Sequence, residues 1–159
     1  MSNKQSVSVK QKKIESDQDE QIKLYLEQRY GEAVRYEKRH ADQYSEVGLP
    51  DINISFYGMS VQIEDKVPKE FPRDNQLQKL NEYKDSGAIV FWCDSFKMFL
   101  SKWEELVEGD PRVQYLKEHY NISDKARVYR FLDYKKSQED DRKKWMEIYK
   151  QEGVDIKNE

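Results

Sequence analysis

One cysteine, two histidines and four prolines are all that this chain of 159 residues carries of those types. With Cys93 alone, no disulfide can close within the chain, and a reducing compartment suits it. His40 and His119 stand far apart and Cys93 has no partner thiol, so no zinc-ligand spacing exists. No apolar run approaches the ~20 residues of a membrane span. The lysine-bearing N-terminus lacks the apolar segment of a signal peptide, so a cytoplasmic location is expected. There is no Gly-rich phosphate loop and no internal repeat. A basic excess is missing too. The net charge of −3 argues against coating nucleic acid through bulk charge, though not against gripping phosphates locally.

Charge and tyrosine are what the chain has in quantity: 37% of its residues are charged and eleven are Tyr, against a hydrophobic fraction of 36%. This predicts one domain with a small core, long polar helices and tyrosines that pack their rings while keeping the hydroxyl wet. Residues 1–16 are polar and aperiodic and read as a flexible tail. From about residue 17, Ile22, Leu24, Tyr25, Leu26 and Tyr30 give a helical stripe that ends at Gly31. "AVRYEKRH" alternates as a strand does, and "DINISFYG" and "SVQIEDKV" read as a hairpin turning at Tyr57-Gly58. A helix is predicted from Asp74 to Ser86, a doubly covered strand at "AIVFWC", and an amphipathic helix over 95–107. Beyond Gly109-Asp110-Pro111 come helices at about 111–119, 123–135 and 137–151. The expected layout is a tail (1–16), a core (17–108), a C-terminal helical extension (109–152) and a short tail (153–159). The order is helix, strand, hairpin pair, helix, strand, helix.

Chemistry concentrates where the hairpin begins and ends. Glu64 and Lys66 lie two apart in a strand and so share a face, and Asp51 opens the partner strand opposite them. Two converging carboxylates repel, and a divalent cation resolves the conflict. Magnesium takes hard oxygens and keeps several waters, and an acidified water can attack a phosphodiester. Lys66 could then stabilise charge growing on the phosphate. Taken alone, Glu-x-Lys is a weak signal, and a solvated strand face of alternating charge is its default account.

"GLPD", then "IEDK", then "NQLQKLNEYKDSGAIVFW" together resemble the PD-(D/E)xK nuclease superfamily, and within it the VRR-NUC type found in virus-encoded resolvase-like nucleases and structure-specific repair nucleases. The match covers roughly Glu20 to Leu106. The resemblance implies an α/β (α+β) restriction-endonuclease-like core, in which helices flank a central mixed sheet. It implies a Mg2+- or Mn2+-dependent endonuclease with Asp51 and Glu64 as metal ligands, joined by the backbone carbonyl of Asp65. Lys66 would be the catalytic lysine, Gln76 would touch the scissile phosphate or its water, and Glu20 would complete the site from the first helix. Branched or structured DNA, a homodimer, and the host cytoplasm for a virus-encoded member are implied as well.

Asp65 departs from that pattern, since it points to the core side where the family carries an apolar residue. A partner such as a Tyr or His40, or a wet strand end, is expected. The alternative is a weak or inactive nuclease fold serving as a DNA- or protein-binding module or as a subunit of a complex. Arg127, Arg130, Lys143 and Lys144 are the candidates for phosphate contact outside the core.

Overall fold

The computed structural model describes residues 9–40, 46–120 and 124–154, with backbone alone for 124–130. By internal contacts the chain divides into two units, Met1–Tyr120 and Asn121–Glu159. In the first, a four-stranded sheet runs in the order β1 (Val34–Lys38), β2 (Ile52–Phe56), β3 (Met59–Asp65), β4 (Ile89–Cys93). β1–β2 and β2–β3 are antiparallel and β3–β4 is parallel, so the sheet is mixed, with β1 and β4 at its edges. This is the α+β class and element order that the sequence predicts.

α1 (Val9–Tyr30) and α3 (Phe96–Lys102) pack on one side of the sheet, and α2 (Asp74–Asp85) packs against β3 and β4. α1 buries Gln18, Ile22 and Leu26, a strict four-residue spacing that puts them on one stripe. It starts at Val9, so residues 9–16 are helical and not the flexible tail expected. "VKQKKIES" has no Gly or Pro to stop a helix, and Ile14 and Glu15 are partly buried. Residues 1–8 lie outside the described residues.

The β2–β3 hairpin closes through Tyr57 and Gly58, with φ of 49° and 84°. Two positive φ values are what a two-residue loop matched to strand twist requires. Its inner face supplies Ile52, Ile54, Phe56, Val61 and Ile63, all buried. Phe56 meets Trp103 (ring centroids 5.1 Å) and Tyr30 (4.6 Å), and the Trp103 indole N–H donates to the Tyr30 hydroxyl at 2.9 Å. α3 runs on as a π-helical turn, Trp103–Glu108, before α4 (Pro111–His119), which starts on an Asp110 cap and buries Val113. α4 therefore belongs with the core unit, and the break falls after Tyr120 instead of at 109. In the second unit, the two helices expected over 123–151 are one, α5 (Asp124–Gln151). Nothing between 135 and 137 breaks it: "KKS" contains no Gly or Pro.

Trp103 is 1% exposed while Leu106, on the same helical run, is 37% exposed. Trp103→Ala is expected to lower unfolding free energy by about 3–5 kcal/mol. Leu106→Ala should cost less than about 1 kcal/mol. Urea denaturation followed by circular dichroism checks both, and equal losses would contradict this core.

Candidate functional site

β3 is the strand that matters, because its last five residues are all buried, among them Gln62, Glu64 and Asp65. Glu64 is 1% exposed, which excludes the solvated-face reading of Glu-x-Lys. The β2–β3 register pairs Ile52 with Ile63, and one step further sets Asp51 beside Glu64 on the α2 side of the sheet. The "GLPD" turn holds Asp51 there residue by residue. Gly48 has φ 84°, and a Cβ on it would lie 2.8 Å from the Asn75 carbonyl oxygen, so only glycine lets the loop touch the start of α2. The Pro50 carbonyl accepts from the Arg39 guanidinium at 2.9 Å, and the Asp51 carbonyl accepts from the Arg39 backbone N–H at 2.7 Å. The same guanidinium donates to Gln62 Oε1 (2.7 Å) and to the Tyr83 hydroxyl (3.2 Å), tying β1, β3 and α2 together.

The Asp51 carboxylate accepts from the Asp65 backbone N–H at 3.1 Å, and its carboxyl lies within hydrogen-bonding reach of Glu64. Lys66 Nζ is 3.5 Å from Glu64 Oε1, while Glu64 Oε2 is buried without a hydrogen-bond partner. Burial first, and the neighbouring Asp51 second, push the Glu64 carboxyl up to about 8, despite the opposing pull of Lys66. A buried acid with one idle oxygen beside a second carboxylate fits a hard cation. Among the described residues no group of three or more Asp, Glu, His or Cys side chains could hold a metal. Two carboxylates, a backbone carbonyl and waters suit magnesium or manganese better than a closed site.

Gln76 is buried in the first turn of α2, and its Oε1 accepts from the Arg73 N–H at 2.9 Å, capping the helix. That leaves its amide nitrogen for the cleft of about 520 Å3 that it lines with Asp51, Lys38, Arg39, His40 and Arg73. A second cleft of the same size, lined by Lys12, Glu15, Asp19, Lys23, Lys38 and Glu20, shares Lys38 and His40 with the first. The two adjoin, and their linings mix five cations (Lys12, Lys23, Lys38, Arg39, Arg73) with six carboxylates.

Glu20 is exposed on α1. The acids of that helix that reach the charged end of the sheet are Glu15 and Asp19. Glu15 ion-pairs with Lys38 at 3.7 Å and interacts electrostatically with Asp51 and Lys66; burial raises its carboxyl. Asp19 stands 2.6 Å from Lys38 Nζ, close enough for an ion pair though not aligned as a hydrogen bond. Glu15 was missed because the helix was expected to begin after it. Its signal was phase: 15, 18, 22 and 26 fall on one face, and 20 does not.

Asp65 finds neither a Tyr nor His40, and the strand end is not wet, since Asp65 is 1% exposed. It accepts from Gln18 Nε2 at 3.1 Å and from the Cys93 thiol at 3.6 Å. Burial and then the adjoining Asp19 carboxyl raise it well above the ordinary carboxylate range. Cys93 is buried and free, and its thiol is likewise raised, by burial and then Asp65. The side chains of Arg127 and Arg130 lie outside the described residues, and Lys143 and Lys144 are exposed on α5.

The fold and the site together define an α+β protein with a carboxylate–lysine centre at the end of its second hairpin strand. Among solved structures the chain is similar to one described as "VRR_NUC domain", at 23% identity and TM-score 0.43, covering 55% of this chain and 95% of that one. It is also similar to a "VRR_NUC domain protein", at 10% identity and TM-score 0.48, covering 60% and 88%. No family model matches the sequence, and no curated protein does.

Because native Glu64 keeps a proton that the unfolded chain gives up near its ordinary value of 4.5, more protons are bound in the folded state between about 4.5 and about 8. Stability of the metal-free protein should therefore fall as pH rises through that window. Glu64→Gln should flatten the slope, and Mg2+ or Mn2+ should raise the melting temperature of the wild type more at the upper end than at the lower. Thermal melts across pH with and without metal check this; a wild-type slope unchanged by Glu64→Gln would contradict it.

Proposed function

We propose that this chain is a metal-dependent nuclease of the VRR-NUC kind that hydrolyses phosphodiester bonds in DNA, with branched or structured DNA as its substrate. The single observation that carries this is the buried Glu64, with an unpaired oxygen, beside Asp51 and 3.5 Å from the Lys66 ammonium. Asp51, Glu64 and the Asp65 carbonyl would hold a magnesium or manganese ion, which when bound supplies Lewis acidity at the scissile phosphate. Glu15 stands where an acid of the first helix would assist, and Glu20 remains its exposed alternative. Lys66, only 14% exposed and 3.5 Å from Glu64, is placed to offset negative charge growing on the phosphate. Gln76, fixed by its own cap, offers an N–H to a phosphate oxygen or attacking water. Arg39 and Lys38 line the approach.

Two strands of a branched substrate call for two sites, and a homodimer provides them by symmetry. α5 is where copies would meet. It leaves Phe131, Leu132, Tyr134, Trp145 and Tyr149 exposed, more apolar surface than an isolated helix keeps in water.

A second reading, a nuclease fold that binds without cutting, is favoured by one observation: a buried carboxylic acid, Asp65, follows Glu64 in place of an apolar residue. The experiment that separates the two incubates the protein with Mg2+ or Mn2+ and fluorescent four-way junction, flap and plain duplex. Cleavage is expected, with Lys66→Ala slower by about 10²–10³-fold. Glu64→Gln should be inactive yet folded. No cleavage of any substrate, with no calorimetric Mn2+ binding, would favour the non-cutting reading.

A further inference from the structure

The segment between β3 and α2 is tightly pinned and ends on an apolar ring in water. Lys66 N–H donates to the Cys93 carbonyl at 2.8 Å, Glu70 N–H to the Val67 carbonyl at 3.0 Å, and Lys69 N–H to Asp94 Oδ2 at 3.1 Å. Lys69 takes φ 71°, a left-handed conformation that a lysine adopts only where its surroundings enforce it. This turn displays Phe71, 64% exposed, with its ring edge-on to Trp92 at a centroid distance of 5.1 Å and 73°. Trp92 is itself held: Lys102 Nζ sits 4.1 Å from its ring centroid and donates to its carbonyl at 2.5 Å. In the β3–β4 register Trp92 is the partner of Glu64, so the two side chains stand side by side on one face of the sheet.

A buttressed aromatic ring, largely exposed, with Lys69 two residues before it, Lys102 against its supporting Trp92, and Glu64 paired with that Trp92, is equipped for one kind of ligand. A nucleobase offers a π-face to Phe71, and the phosphates on either side of it offer charge to Lys69 and Lys102. An apolar protein segment would match the ring and leave the cations unused, whereas a nucleotide carries both a π-face and phosphates. Inside a duplex each base is already stacked on both sides, so an unpaired base is better placed than an internal paired one to use the ring. Resting on the nucleic-acid reading above, we propose that Phe71, supported by Trp92, is a stacking platform for an unpaired nucleotide beside the bond to be cut. This ties the choice of substrate to a strand end, gap or branch point.

The test measures binding in EDTA, where no cleavage occurs, using the full chain and two DNAs of equal duplex length, one blunt and one with a short single-stranded overhang carrying 2-aminopurine. Wild type is expected to bind the overhang DNA more tightly and to quench the 2-aminopurine. Phe71→Ala should weaken overhang binding about 10-fold, abolish the quench and leave blunt-duplex binding unchanged. Phe71→Trp should retain both signals. Since Phe71 is largely exposed, Phe71→Ala should melt as the wild type does, which separates stacking from folding. Equal affinities with no quench in the wild type would overturn the platform, as would absence of DNA binding. If wild type and Phe71→Ala cut DNA at the same rate with no quench, the platform falls and the nuclease reading stands. If the quench depends on Phe71 but no metal supports cleavage, the reverse holds.

Discussion

Everything in this structure turns on a carboxylate placed where water cannot reach it. Glu64 is at the end of a strand covered on both faces, next to Asp51, with one oxygen left over. An acid in that position is costly when ionised and idle when protonated. Its neighbours limit the cost without removing it: Lys66 draws the charge outward, while Asp51 opposes it. The environment is therefore incomplete in a way that a hard cation would complete. The electrostatics, and not the residue types alone, mark this end of the sheet as the candidate site.

Placing Asp51 requires the surrounding chain to agree at several points. Gly48 lets the loop touch α2, Arg39 grips two successive carbonyls of that loop, and the Asp65 N–H fixes the carboxylate. Gln76 is held by the cap of the very helix that Gly48 touches. Loop, strand and helix thus share one set of contacts, which is how a short chain holds polar groups rigidly against one another. On the opposite face Asp65, Asp19, Gln18 and Lys38 form a second polar group between sheet and α1, so β3 carries buried acids on both sides.

Period-2 and period-3.6 patterns made the strands, α2 and the pairing of Asp51 with Glu64 legible from sequence, because each depends on local geometry. What escaped depends on tertiary contact. The start of α1 was hidden because lysines and glutamines look alike in a solvated tail and a solvated helix, and with it went Glu15 in favour of Glu20. The partner of Asp65 was hidden because Gln18 lies 47 residues away in sequence. The full burial of Glu64 could not be read either, since a charged strand face is wet unless something covers it. Phe71 reads as an ordinary loop residue until Trp92 is seen against its ring, with Lys102 in turn against Trp92.

The first strand of the sheet has a consequence of its own. Among the described residues β1 is an outer strand with no strand paired on its far side, and it presents Arg35 and Glu37 on one face while turning Lys38 inward. Charges of both kinds on so short a border deter another sheet from adding to it. A mixed-charge border of this kind makes strand addition there unfavourable, so the sheet ends at β1 without a cap.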